Sequence, residues 1–192
     1  MNNSSTTNRK WIAAAAVLFA LSASTALAQS GAPAASADTN SVAGDLTKVD
    51  KDGKTITVKT PDGKEEVFKV TEKTTVDGAK GVALAGKEGG HFVVHYTEKG
   101  GEKTATGLKD AGKGTWKVTE GTVTKVGEGG KEVTVKLKDG TEKTYHLGKE
   151  ATVKSGHGIE EGGKYTGKAG DKVVVYTTVD PAKEVVHLFK KL

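Results

Sequence analysis

Few residues in this chain have chemistry to offer, and their spacing decides most of what they can do. His91 and His95 stand four apart, a separation that on a helix would turn both imidazoles toward one metal ion. On a strand the two share a face but lie about 13 Å apart, at roughly 3.3 Å per residue, too far to chelate one ion together. The run His91-Phe92-Val93-Val94-His95-Tyr96 reads as strand, so half-exposed strand histidines are expected there. His146 stands alone between Tyr145 and Leu147, which makes it a third, isolated candidate ligand. With His157 and His187, these side chains keep metal handling through surface histidines as the alternative reading.

Other motifs fail on the atoms they would need. Gly107-Leu108-Lys109-Asp110-Ala111-Gly112-Lys113-Gly114 comes close to a phosphate loop. Its last position lacks the hydroxyl that holds magnesium, and Trp116-Lys117-Val118-Thr119 does not open a helix. Similar runs at Gly81 to Lys87 and Gly158 to Lys164 read as Gly- and Lys-rich loops. Asp50-Lys51-Asp52-Gly53 looks like part of a calcium loop, but Lys48 and Lys59 would fill its first and twelfth positions. Ser155-Gly156-His157 packs serine and histidine too closely for an ordinary catalytic pairing. The pairs Glu65-Glu66 and Glu160-Glu161 stand in surface segments beside lysines. No catalytic residue, cofactor or enzymatic activity is expected from this inventory.

Composition narrows the partners. The 192 residues include no Cys, which removes disulfides, thiolate metal sites and cysteine nucleophiles. A formal charge of +5 invites a nucleic-acid reading. Yet lysines and acids are interspersed along the chain, and its one Arg, Arg9, lies in the leader. Without Arg, bidentate phosphate and base contacts lose their usual residue, so nucleic acid is not the expected partner. An unknown protein, an envelope polymer or a small ligand is.

The leader runs from residue 1 to 28. Arg9-Lys10 precedes an apolar run from Trp11 to Leu21, and Ala26-Leu27-Ala28 supplies a small-residue cleavage site. The apolar run falls well short of the roughly 20 residues that cross a bilayer, so a cleaved signal peptide and a periplasmic or secreted product are expected, with no membrane span afterwards. Loss of Arg9 and Lys10 takes the formal charge from +5 to +3. Residues 29–42 are small and polar and read as a flexible tether.

The remainder is one unit written twice. A shift of 77 residues places Gly44-Asp45-Leu46-Thr47-Lys48-Val49 on Gly121-Thr122-Val123-Thr124-Lys125-Val126, and carries Thr57-Val58-Lys59 onto Thr134-Val135-Lys136. A later offset of 80 matches Val93-Val94-His95-Tyr96 with Val173-Val174-Val175-Tyr176, which makes both Tyr96 and Tyr176 core aromatics and gives His91 and His95 the counterparts Asp171 and Val175. Alternating apolar residues between Gly-rich turns predict five strands per unit. The three-residue spacing of Leu46/Val49 and Val123/Val126 predicts a bulge. The expected fold is all-β, two tandem five-stranded OB-like barrels at 43–108 and 120–192, joined by a connector at 109–119. Trp116, in that connector, is the expected contact between them.

The order Gly-x-Leu/Val-Thr-Lys-Val, Gly-Lys-x-Ile/Val-Thr-Val-Lys, Asp-Gly and Val-Val-x-Tyr resembles small OB-like β-barrel domains of secreted bacterial proteins, over residues 43–190. It is also distantly similar to the periplasmic copper chaperones of Cus-type efflux systems. That second resemblance implies a copper site of one His, two Met and a nearby Trp on the second and third strands. Here Met1 is the only Met, strands 54–70 carry no His or Trp, and His146 alone lies near the corresponding region of the second unit. The soft ligands for cuprous ion are missing, so copper binding is not expected to have been carried over.

Overall fold

The computed structural model describes residues 39–80, 83–156, 158–181 and 183–192. The expected signal peptide, the tether up to residue 38, and His157 lie outside the described residues. No α-helix occurs among those described, and none is long and apolar enough to cross a membrane.

Two seven-stranded sheets follow one another in sequence. The first contains β1 (Thr39–Val49), β2 (Thr55–Lys59), β3 (Glu65–Lys69), β4 (Thr75–Val76), β5 (Ala79–Lys80), β6 (His91–Lys99) and β7 (Glu102–Asp110). The second contains β8 (Thr115–Val126), β9 (Glu132–Leu137), β10 (Glu142–His146), β11 (Thr152–Ser155), β12 (Gly158–Glu161), β13 (Lys172–Asp180) and β14 (Lys183–Lys191). Both keep one order, β3-β2-β1-β6-β7-β4-β5 and β10-β9-β8-β13-β14-β11-β12. The expected five strands are present in each unit. The extra pair is a short hairpin, β4–β5 or β11–β12, laid parallel on β7 or β14. A single parallel bridge, Lys69 to Thr104, closes the first ring between β3 and β7.

The sequence rules for β1 and β8 hold in detail. Register slips between Leu46 and Lys48 and between Val123 and Lys125, so one strand of each unit bends sharply around its core. Gly44 and Gly121 permit the close approach beside that bend. A Cβ on either would stand 2.4 Å from a backbone oxygen of the neighbouring strand, Lys59 or Lys136. Inside the first barrel pack Leu46, Ile56, Val58, Phe68, Phe92 and Val94; inside the second, Val123, Val133, Val135, Tyr145, Val173 and Phe189.

Strand β13 corrects the sequence alignment. Gly44 pairs with Phe92 and Gly121 with Val173, so the equivalence is an offset of 81, not 80. His95 then corresponds to Tyr176 and Tyr96 to Thr177. The consequence is physical, because a one-residue slip on a strand exchanges its inner and outer faces. Tyr96 packs in the first core with its ring centroid 5.0 Å from Phe68, whereas Tyr176 lies outside the second core, against Ala43, Val93 and Leu188.

The same equivalence exposes a reversed ion pair. In the first barrel Glu66 on β3 meets Lys103 on β7 at 2.6 Å; at the matching positions of the second, Lys143 on β10 meets Glu184 on β14 at 2.5 Å. The first pair spans the strands whose bridge closes the ring and the second spans their counterparts β10 and β14, and each ammonium also lies against core aromatics, Phe68 and Tyr96 or Tyr145. The charges are swapped while the cross-link is kept.

The segment expected as a connector at 109–119 is mostly strand. β7 runs to Asp110 and β8 starts at Thr115, leaving 111–114 between them, and β1 begins at Thr39 rather than at residue 43. The two barrels belong to one compact unit.

Candidate functional site

Where the barrels meet, the outer face of β6 carries His91, Val93 and His95 in alternation, and the outer face of β1 carries Ser41, Ala43 and Asp45 opposite them. Ala43 and Val93 pack with Leu188, Trp116 and Tyr176 of the second barrel to form a small apolar centre. The polar residues around it bond to one another. Asp45 Oδ1 accepts the indole N–H of Trp116 at 2.7 Å and faces His91 Nδ1 at 2.5 Å. His91 Nε2 lies 2.7 Å from the carbonyl oxygen of Gly114. Trp116 presents its ring between two histidines, edge-on to His91 at 5.4 Å and to His187 at 5.8 Å. Lys109 reaches the Lys149 carbonyl and Glu150 at the periphery of the same contact.

The histidines therefore occupy sites unlike the half-exposed strand positions expected for them. His95 is buried, with Nδ1 2.9 Å from the Ser41 hydroxyl. His91 is largely covered, and the two project from one face of a strand, as its alternation requires. His146 is exposed and pairs with Glu132 at 3.1 Å. Trp116 lies in β8, between the barrels. Among the described residues no three His, Asp or Glu side chains gather as a metal set. The residues Gly107 to Asp110 of the near phosphate loop are strand, not loop. The Asp50 carboxylate caps its own hairpin by accepting the Lys54 amide at 2.7 Å. Ser155 is buried beside Thr166, whose hydroxyl donates to it at 3.3 Å.

His187 gives the contact a defined response to acid. Burial, then the nearby Lys109 charge, pushes its ring down to about 4 from an ordinary 6.5. The folded chain thus binds fewer protons than the unfolded chain between those values, and stability falls as pH drops through that window. Thermal unfolding between pH 7 and 4 is expected to show Tm falling by several degrees, and His187→Gln to flatten that slope. Asp171 responds separately and at lower pH: its bond with Lys191, with help from the Lys168 amide and Tyr165, holds its carboxyl well below the usual range. An unchanged slope in His187→Gln would remove the assignment.

Beside the joint lies an open cleft of about 550 Å³, walled by Gly86 to Phe92 on one side and by Asp110 and Gly112 to Gly114 on the other. Both of its carboxylates hold their own loops: Glu88 Oε2 accepts the Gly86 amide at 2.8 Å, and Asp110 Oδ1 the Gly112 amide at 2.7 Å. Lys87 and Lys113, which line it as well, make no ion pair in the described structure. Asp45 carries no signal in the sequence, and Lys87 and Lys113 stand there only as parts of incomplete phosphate-loop motifs. Their types are common in this chain, and only the docking of the barrels sets them apart.

No protein-family profile matches the chain, and no curated protein matches it in sequence. Among solved structures it is similar to a copper(II)-bound variant of CusF from Escherichia coli, at 16% identity over 39% of this chain and 94% of that one, with a TM-score of 0.32.

Proposed function

We propose that the chain is a non-catalytic binding module that acts in the periplasm or after secretion, and that the cleft beside the inter-barrel joint receives an anionic group of its partner. The carrying observation is the division of labour among the cleft's charges. Glu88 and Asp110 are spent on backbone amides of their own loops, while Lys87 and Lys113 pair with no carboxylate among the described residues. Such a surface attracts anions and slows their departure. The metal reading has less support, because His91, His95 and His187 all spend ring nitrogens on protein partners.

The test is affinity capture from a periplasmic extract with the wild-type chain and with Lys87→Glu/Lys113→Glu side by side. A partner held by the first and lost by the second supports the reading. A partner held equally by both overturns the assignment to this cleft, and stoichiometric zinc or copper uptake abolished by His91→Ala would replace it with metal handling.

A further inference from the structure

A second groove, of about 380 Å³, opens at the other end of the inter-barrel contact and is lined by Asn40, Lys154, Ser155, Gly156, Gly158 and Lys191, among others. Asn40 lines this groove and Asp45 bonds His91 of the cleft, and the two lie five residues apart on β1, roughly 17 Å at the rise of a strand. They are different sites.

Its unusual member is Lys154. The side chain leaves β11 on the face away from the second core, since Val153 points inward, and its ammonium is half-covered where the barrels meet. Its hydrogen-bond partner is the neutral Asn40 side-chain oxygen. Beside it stands another cation: Lys154 is the parallel register partner of Lys190, and like charges abreast on neighbouring strands repel. Neither lysine makes an ion pair in the described structure. Among the described side chains, Asp171 is engaged with Lys191, Tyr165 and the Lys168 amide, and Glu160 with the Thr166 hydroxyl. Burial, then the charge of Lys190, lowers the proton affinity of Lys154, which is the sign of an ammonium without a counter-charge.

A half-buried cation with only a neutral partner costs folding energy that a bound anion would return. We infer that this groove binds a phosphate or sulfate group, held by the ammonium of Lys154 together with that of Lys190, its register partner on β14. The site is created by the tandem arrangement, because Asn40 comes from the first barrel and the lysines from the second. It goes beyond the proposed binding module and does not depend on the cleft.

Inorganic phosphate is titrated into the purified chain at constant ionic strength, with chloride as the reference, while backbone amide resonances are followed. Saturable shifts centred on Lys154, Ser155, Gly156 and Lys190 are expected, weakened at least about tenfold in Lys154→Gln and unaffected in Lys87→Glu/Lys113→Glu. Lys154→Gln should fold with Tm equal to or above that of the parent, since it removes an uncompensated charge. Vesicles of phosphatidylglycerol, compared with phosphatidylcholine, form a second arm: retention on the former alone, lost in Lys154→Gln, would identify the phosphate as a lipid headgroup. Shifts that fail to saturate, that spread over lysines throughout the chain, or that persist in Lys154→Gln overturn the inference. So does a silent result in both arms.

Discussion

Replacing Gly121 by Ala is expected to lower the stability of the chain by about 3 kcal/mol, the upper end of the usual cost of overpacking, and its Tm by about 10 °C. A Cβ at that position would stand 2.4 Å from the Lys136 carbonyl oxygen and 2.5 Å from a Val135 methyl. A flexible side chain could swing aside, but this oxygen belongs to the ladder between β8 and β9 and is fixed by it. Gly121 also pairs with Val173 on the other side, so any movement of β8 strains two strand contacts together. Gly44 occupies the same place in the first barrel, 2.4 Å from the Lys59 oxygen, and Gly44→Ala should behave alike. Gly148, whose Cβ would meet nothing within 4 Å, serves as the control and should change stability by less than about 0.5 kcal/mol. Circular dichroism melts of the three variants decide the matter: a loss in Gly121→Ala no larger than that in Gly148→Ala would show that β8 can relax away from its neighbour.

Those two glycines were legible from the start, because a residue repeated at one place in two copies under the same geometric demand leaves a mark in the sequence. So did the bulge, through the three-residue spacing of Leu46/Val49 and Val123/Val126, and the inward set of β2 and β9, through strict alternation. The later offset was misread for a local reason. Matching letters favour Tyr96 with Tyr176, whereas the pleat must place Phe92, Val94 and Tyr96 where Val173, Val175 and Thr177 stand. The side of the strand decides, and identity of residue does not. The joint was hidden more deeply. Asp45 and Trp116 are 71 positions apart, and nothing local says that the outer face of β6 will be covered by the companion barrel rather than by water. Alternation correctly sent His91 and His95 away from the first core, yet the second barrel buries them. The uncompensated Lys154 has no sequence signature either, being one lysine among many in the second unit.

Trp116→Ala is expected to uncouple the barrels. The indole supplies three connections across the contact: a hydrogen bond to Asp45, an edge contact with His91, and packing against Ala43 and Val93. Because the ring is only partly covered, the expected cost is about 3 kcal/mol, at the lower end for loss of a packed aromatic. The form of the change is more telling than its size. Each barrel has its own core, whereas the shared centre is small, so the loss should fall on the coupling rather than on either interior. A wild-type melt with one transition is expected to separate into two in Trp116→Ala. Trypsin should cut faster at Lys113, in the short stretch between β7 and β8, once Gly114 and its neighbours lose the anchored ring of His91 beside them. Asp45→Asn, which keeps the shape but weakens both bonds to that side chain, should lie between the two. If Trp116→Ala melts in one step at the parental Tm and Lys113 stays as resistant as before, the barrels are held together by the peripheral contacts of Lys109 and Lys154 instead. Tryptophan fluorescence of the parent chain offers an independent check: the emission should shift to the red as pH falls from 6.5 toward 4, because protonation of buried His187 loosens the pocket that shields the ring.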